Sequence, residues 1–290
     1  MMKMILSKLT RRRGQEGSAA SDRVIDLDTF WNREWENSEE KPSTENRTGA
    51  GWVSPVYSQS RHAQVNLSTA MENRCVACGS DSPEAEPYRV LRTQILRQTV
   101  ERQWNTLMVT SALPGEGKTM TAINLALTFA RHFNRTVLLV DCDLKKPSVY
   151  KYLGLSGEQG LVDCLLDGKP LDEVIVWPGI EKLTIISGGR AVIESAELLG
   201  SPRMKEILAD MKGRYPDRYI ILDGPPILTG ADALVLIQMV DAVVTVVQSG
   251  KTPADDLREA LEHVPADRLL GLVLNRQKTP SKRYGSGRYS

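Results

Sequence analysis

Residues 107–121 read LMVTSALPGEGKTMT. An apolar stretch of strand character, opening at Leu107, runs into Ala112-Leu113-Pro114-Gly115-Glu116-Gly117-Lys118-Thr119 and then into a helix-forming segment from Met120 onward. This is the layout of a phosphate-binding loop. Glycines let backbone N–H groups curl around phosphate oxygens, a lysine reaches the outer phosphates, and a hydroxyl takes a Mg²⁺ ion. Those roles fall to Gly115, Gly117, Lys118 and Thr119, with Pro114, Glu116 and Met120 completing the expected nucleotide contacts. Ala112 stands where the usual pattern begins with glycine, a small residue for a small one.

Outward from the loop, strand-like and helix-like runs alternate. Strands are expected near 106–111, 137–141, 183–187, 219–223, 242–248 and 269–274, and helices at 87–102, 118–132, 197–213, 231–239 and 254–263. Most of the strands are continuous apolar runs such as Val137-Leu138-Leu139-Val140, which suits strands covered on both faces. The alternation implies an α/β fold, a doubly wound, mostly parallel sheet with helices on both faces, and ligands gathered at the carboxyl ends of the strands. Residues 86–275 are read as this domain. Residues 1–85 are rich in Ser, Asn, Glu, Gln and Arg without an apolar period and are read as a largely disordered extension, and 276–290 as a flexible basic tail.

A net charge of +1 and a pI near 7.6 give no basic field, so nucleic acid is not expected as a partner. No apolar run approaches the roughly 20 residues that span a bilayer. The opening MMKMILSKLTRRR has too short an apolar core for a secretory signal, which points to a cytoplasmic protein; it is read as an unstructured terminus rather than a membrane-surface helix. Cys75 and Cys78 form a lone Cys-x-x-Cys with no second pair to complete a zinc site, and they are read as inert linker thiols. Cys142 and Cys164 are expected to pack in the core, and His62, His132 and His263 have no metal-like spacing.

Two more strands end in aspartate where the same sheet edge would present it: Val137-Leu138-Leu139-Val140-Asp141-Cys142-Asp143 and Tyr219-Ile220-Ile221-Leu222-Asp223-Gly224-Pro225-Pro226. An Asp closing an apolar strand beside a phosphate loop anchors Mg²⁺ through its water shell, and Asp223 fits that role. The pair Asp141 and Asp143 exceeds what simple hydrolysis needs. A second carboxylate can accept the proton of a phenol, whose pKa of about 10 makes it a poor nucleophile at neutral pH.

These residues resemble those of a known family, the bacterial tyrosine kinases of capsule and exopolysaccharide export, P-loop proteins of the MinD/ParA-like type. The likeness spans about residues 85–290. It rests on the loop Ala112 to Thr119, the second motif Val137 to Asp143, Asp223-Gly224-Pro225-Pro226, and the preceding Glu197-Leu198-Leu199-Gly200-Ser201-Pro202. The resemblance implies ATP and Mg²⁺ as cofactors, with Lys118 neutralising the transferring phosphoryl group. It also implies Thr119, Asp143 and Asp223 around the metal, Asp141 as base for the tyrosine hydroxyl, and Asn275 at the adenine. Lys145 and Lys146 replace the arginine often found after the second Asp, keeping charge without the planar fork. The rival reading is a MinD/ParA-type ATPase switch; Leu113 stands where those proteins place a signature lysine.

Glu86, Arg89 and Arg92 reproduce the Glu-x-x-Arg-x-x-Arg motif that joins neighbouring subunits of such kinases into a ring, so a homo-oligomer is expected; at a spacing of three they are read as a charged strip along one flank of a helix. The tail RQKTPSKRYGSGRYS carries Tyr284 and Tyr289 as expected phosphoacceptors between subunits; fifteen residues reach on the order of 50 Å when extended. The resemblance further implies a separate membrane-embedded polysaccharide co-polymerase or chain-length protein as partner, which would hold the kinase at the inner face of the cytoplasmic membrane, and a tyrosine phosphatase acting on the same tyrosines. Asp26 to Trp35 is read as a candidate docking turn.

Overall fold

A computed structural model describes residues 3–5, 60–79, 82–131, 135–214 and 217–277. The described residues all fall within one compact unit. Tyr284, Tyr289 and the Asp26–Trp35 segment lie outside the described residues.

Six strands form the parallel centre of the sheet: β3 (Thr106–Ser111), β4 (Thr136–Asp141), β6 (Leu183–Ile186), β7 (Arg218–Asp223), β8 (Ala242–Gln248) and β9 (Leu269–Asn275). Their order is β9-β8-β3-β7-β4-β6, so β7 lies between the loop strand β3 and β4. β3, β4, β6 and β7 are buried at every position, which is why they read as unbroken apolar runs. Three short strands extend the sheet: β1 (Lys3–Ile5) runs antiparallel to β9, β5 (Val176–Trp177) antiparallel to β6, and β2 (Arg61–His62) parallel to β5. None of the three was expected, and the chain's opening, read as unstructured, contributes an edge strand.

One face of the sheet carries α3 (Lys118–Ala130) and, against it, α2 (Glu86–Thr99). The other face carries α5 (Leu161–Leu166), α7 (Ser195–Leu199), α8 (Pro202–Gly213) and α9 (Ala231–Ile237) over a second apolar cluster. The helix expected over 197–213 divides at Ser201, which caps α8 by accepting from the Met204 N–H, with Pro202 at the first helical position.

The expected boundary at residue 86 is corrected. α1 (Leu67–Glu72) and the 3-10 turn Val76–Cys78 pack on the α3 side of the sheet, with Val65, Ala70, Cys75 and Ala77 in the core. The physical reason is α3 itself. It is buried from Thr121 to Ala130 on all sides, so its outer surface needs a cover, and α2 supplies only part of one. The Asn124 side chain locks the cover down: its Oδ1 accepts from the Ala77 N–H (3.0 Å), and its Nδ2 donates to the carbonyls of Arg74 (3.0 Å) and Met120 (2.9 Å). Cys75 and Cys78 are therefore free thiols of the packed body rather than of a linker, pushed up to about 12 and about 11 respectively by burial.

Candidate active site

The phosphate loop connects β3 to the first turn of α3, and its shape is fixed by residues far away in sequence. Glu116 is buried; its carboxylate accepts from the Leu113 N–H (2.9 Å) and from the Thr252 hydroxyl beyond β8. Asn275, closing β9, donates from Nδ2 to the Glu116 carbonyl (2.8 Å). Gly117 caps α3 with φ +101°, and a Cβ there would run into the Asn275 amide. The loop is thus braced from two other strand ends, with the amino terminus of α3 free to meet an anion.

Lys118 points inward. Its ammonium lies 2.7 Å from Asp143 Oδ2, 3.8 Å from Asp223 Oδ1 and 3.3 Å from the Thr119 hydroxyl. Burial alone would depress its pKa, but Asp223 and Asp143 together outweigh burial and hold it above the usual lysine value. Asp223 is fully buried and its two oxygens have no hydrogen-bond partner. Burial first, and Asp143 nearby, push its pKa up against the pull of Lys118 and Thr119. A buried carboxylate without a hydrogen bond, beside a threonine hydroxyl, fits the water shell of a small divalent cation, which is bound through one or two protein oxygens rather than a full protein cage. No cage of three or more metal-ligating side chains occurs among the described residues.

Three of the expected residues have partners that the sequence did not suggest. Asp141 pairs in register with Asp223 across β4 and β7 but is fully buried: its Oδ2 accepts from Ser148 N–H (2.7 Å) and Val149 N–H (2.9 Å), and its Oδ1 from Asp143 N–H (3.2 Å). Its pKa is pushed up to about 7 by burial and by Asp223, against those backbone donors. A carboxylate so engaged fixes the 143–149 loop and the start of α4 (Val149–Leu153). Lys145 turns away from the loop to pair with Asp232 Oδ2 (2.6 Å), itself bonded by the Ser195 hydroxyl. Arg92 does not join Glu86 and Arg89 on one strip. Two steps of three residues turn a helix by about 120°, so Arg92 faces α3 and donates to the Thr128 carbonyl (2.8 Å), while Arg89 pairs with Glu86 (3.0 Å).

Sequence reasoning missed Thr252 and Asn124, whose partners lie 136 and 47 residues away. The Asn275 expectation is sharpened. Its amide is committed to the Glu116 carbonyl and its Oδ1 to the Arg276 N–H (2.8 Å), while its side chain also borders a cavity of about 550 Å³ beside the loop.

A braced phosphate loop, an inward lysine and strand-end aspartates on a parallel sheet define a nucleotide-binding P-loop protein. Residues 105–265 match the family of the AAA domain. The chain is 36% identical over 216 residues to Tyrosine-protein kinase YwqD of Bacillus subtilis (strain 168), covering 73% of this chain and 90% of the relative. It is 30% identical over 210 residues to Putative tyrosine-protein kinase EpsB of Ralstonia solanacearum, covering 71% of this chain but 28% of that longer protein. The crystal structure of the VpsO kinase domain superposes with a TM-score of 0.61 at 31% identity, covering 73% of this chain and 99% of that domain. The chain belongs to the bacterial tyrosine-protein kinases, and the ATPase-switch reading gives way to that of a kinase.

Proposed function

We propose that the chain transfers the γ-phosphoryl group of ATP to tyrosine hydroxyls of a second copy of itself, with Tyr284 and Tyr289 as acceptors, at a membrane complex for polysaccharide export. The observation that carries the chemistry is the Lys118 ammonium held between Asp143 and the buried Asp223 at the mouth of the loop. When triphosphate arrives, Lys118 exchanges its carboxylate partners for phosphate oxygens and neutralises charge on the group in transfer. The Thr119 hydroxyl, with Asp143 and Asp223 acting through waters, would hold Mg²⁺, which would supply further charge neutralisation at the phosphates. The backbone N–H groups of Gly115 to Thr119 orient the phosphates. The tyrosine oxygen forms the new P–O bond, the bond to ADP breaks, and the hydroxyl proton leaves late to solvent. In a loose transition state positioning matters more than a strong base, so Asp141 serves by fixing the loop that carries Asp143.

No helix among the described residues is long and apolar enough to cross a membrane, and a membrane-embedded chain-length protein as a separate partner accounts for location at the membrane. Arg89 with Glu86 remains the candidate contact between copies, Arg92 contributing by bracing α2. The test is phosphotyrosine mapping by mass spectrometry after incubation with Mg-ATP, with Lys118→Met as blank and a mixing arm in which the Lys118→Met chain is offered to active chain. Phosphate on Tyr284 or Tyr289 of the inactive chain supports transfer between copies. ATP turnover with no phosphotyrosine in any arm would sink the proposal.

A further inference from the structure

Two adjoining cavities of about 440 and 550 Å³ open beside the phosphate loop and share Arg74, Met120 and Arg276 in their walls; the smaller also touches Gly117, the larger Asn275. A nucleotide whose phosphates sit at the amino terminus of α3 would run its base into this space, past Met120 in the first turn. The larger cavity has an apolar floor of Val76, Pro87, Tyr88 and Met120, of a size usual for small-ligand sites. Part of that wall, at residues 72–76, lies well upstream of the matched AAA domain at 105.

Two backbone observations single out the arginines at its rim. Among the described residues four non-glycine positions have positive φ, and two of them, Arg74 (+61°) and Arg276 (+56°), border this space. A side chain is disfavoured there, and such conformations persist when surrounding contacts over-determine them, commonly at ligand sites. For Arg74 those contacts are the Asn124 amide on its carbonyl (3.0 Å) and its own N–H donated to Met71 (2.9 Å), so the same asparagine fixes both the wall and the loop helix. Arg276 is occupied, donating to Gln248 (3.2 Å). The Arg74 guanidinium makes no ion pair or hydrogen bond with any described residue, although Glu72 and Glu84 stand on the same rims.

We propose that Arg74 is a nucleotide-binding residue: its guanidinium lies flat on the purine base of the bound nucleotide, so that the covering segment at 60–79 closes the base end of the site. A planar, weakly hydrated cation at the rim of an apolar slot suits stacking on an aromatic ring. The inference rests on the nucleotide reading above and extends it to a base contact. It is tested by calorimetric titration of the full chain with Mg-ATP and, separately, with inorganic tripolyphosphate, using Arg74→Gly and Arg74→Lys. Glycine accepts the positive φ, so the first variant removes the guanidinium without harming the turn, which thermal unfolding checks.

Arg74→Gly should weaken ATP about 2- to 30-fold, the range of a cation stacked on an aromatic ring, and leave tripolyphosphate unchanged. Arg74→Lys should restore little, because charge without the plane does not stack. Unchanged ATP affinity in Arg74→Gly, equal weakening of ATP and tripolyphosphate, or full rescue by lysine would each overturn the base contact while leaving the nucleotide site intact. Failure of the unaltered chain to bind ATP would overturn the nucleotide reading itself.

Discussion

Gly117 and Asn275 lie 158 residues apart yet act as one device, and a double-mutant cycle between them can be worked from the geometry. Gly117→Ala places a Cβ at φ +101°, at a cost of about 1–2 kcal/mol for a left-handed side chain. The same Cβ overlaps Asn275 Nδ2, so the amide must leave the Glu116 carbonyl and orphan a buried acceptor, adding about 1–3 kcal/mol. Asn275→Ala alone incurs that second cost without the first. In the double variant the amide is gone before the Cβ arrives, and the next nearest atom, Met120 Cε at 3.8 Å, is ordinary contact. The brace is then lost once rather than twice. The double variant should therefore be more stable than the sum of the singles implies by about 1–3 kcal/mol. Urea unfolding of the four proteins measures this directly. Additivity to within roughly 0.5 kcal/mol would show that the Asn275 amide does not hold the loop, and the account of Gly117 would fall with it.

Three further outcomes follow from the same site. Asp223→Asn replaces a buried carboxylate, held by a long ion pair to Lys118 and with its pKa pushed up by burial, with a neutral group, so thermal stability of the nucleotide-free protein should hold or rise while the Mg²⁺ dependence of ATP binding is lost; a marked fall in Tm would show that the Lys118 pair outweighs the burial of the charge. Asp141→Asn can keep its one carbonyl oxygen on the Ser148 and Val149 N–H groups but turns its NH2 toward the Asp143 N–H, and should destabilise by about 1–3 kcal/mol with reduced ATP affinity; a large loss of kcat at unchanged stability and affinity would instead make Asp141 the proton acceptor. Burial alone would raise the pKa of Asp232, but bonds from Lys145 and Ser195 outweigh it and hold it below the usual value. A carboxylate depressed in the folded state stabilises above its unfolded pKa of about 3.9 and loses that contribution as pH falls through the folded value. Asp232→Asn should accordingly cost most at neutral pH and least near pH 3, as read by urea midpoints; a difference independent of pH would remove the ion pair as its cause.

What the sequence made legible divides along a physical line. Strands buried on both faces announce themselves as runs such as Ile220-Ile221-Leu222, and a loop that needs glycines, lysine and threonine in fixed order announces its ligand. The covering segment at 60–79 did not, because its contribution to the core is a few small residues, Ala70, Cys75 and Ala77, whose period is hidden among polar neighbours. Yet its presence was implied elsewhere. Thr121-Ala122-Ile123-Asn124-Leu125-Ala126-Leu127-Thr128-Phe129-Ala130 carries no charged residue, only a narrow stripe of Thr121, Asn124 and Thr128, so a helix there must be largely covered on the side away from the sheet, and Asn124, its most polar member, needed buried partners. A helix without a charged face is thus a statement about another part of the chain. The same reasoning separates the residues of the site: Lys118, Thr119, Asp143 and Asp223 are found by motif because each stands in a local pattern, whereas Thr252 braces the loop, and Asn124 the covering segment, through partners distant in sequence. Arg92 shows the converse error, in which a motif spaced by three was read as a flat strip although a helix carries its third member around to the packed side.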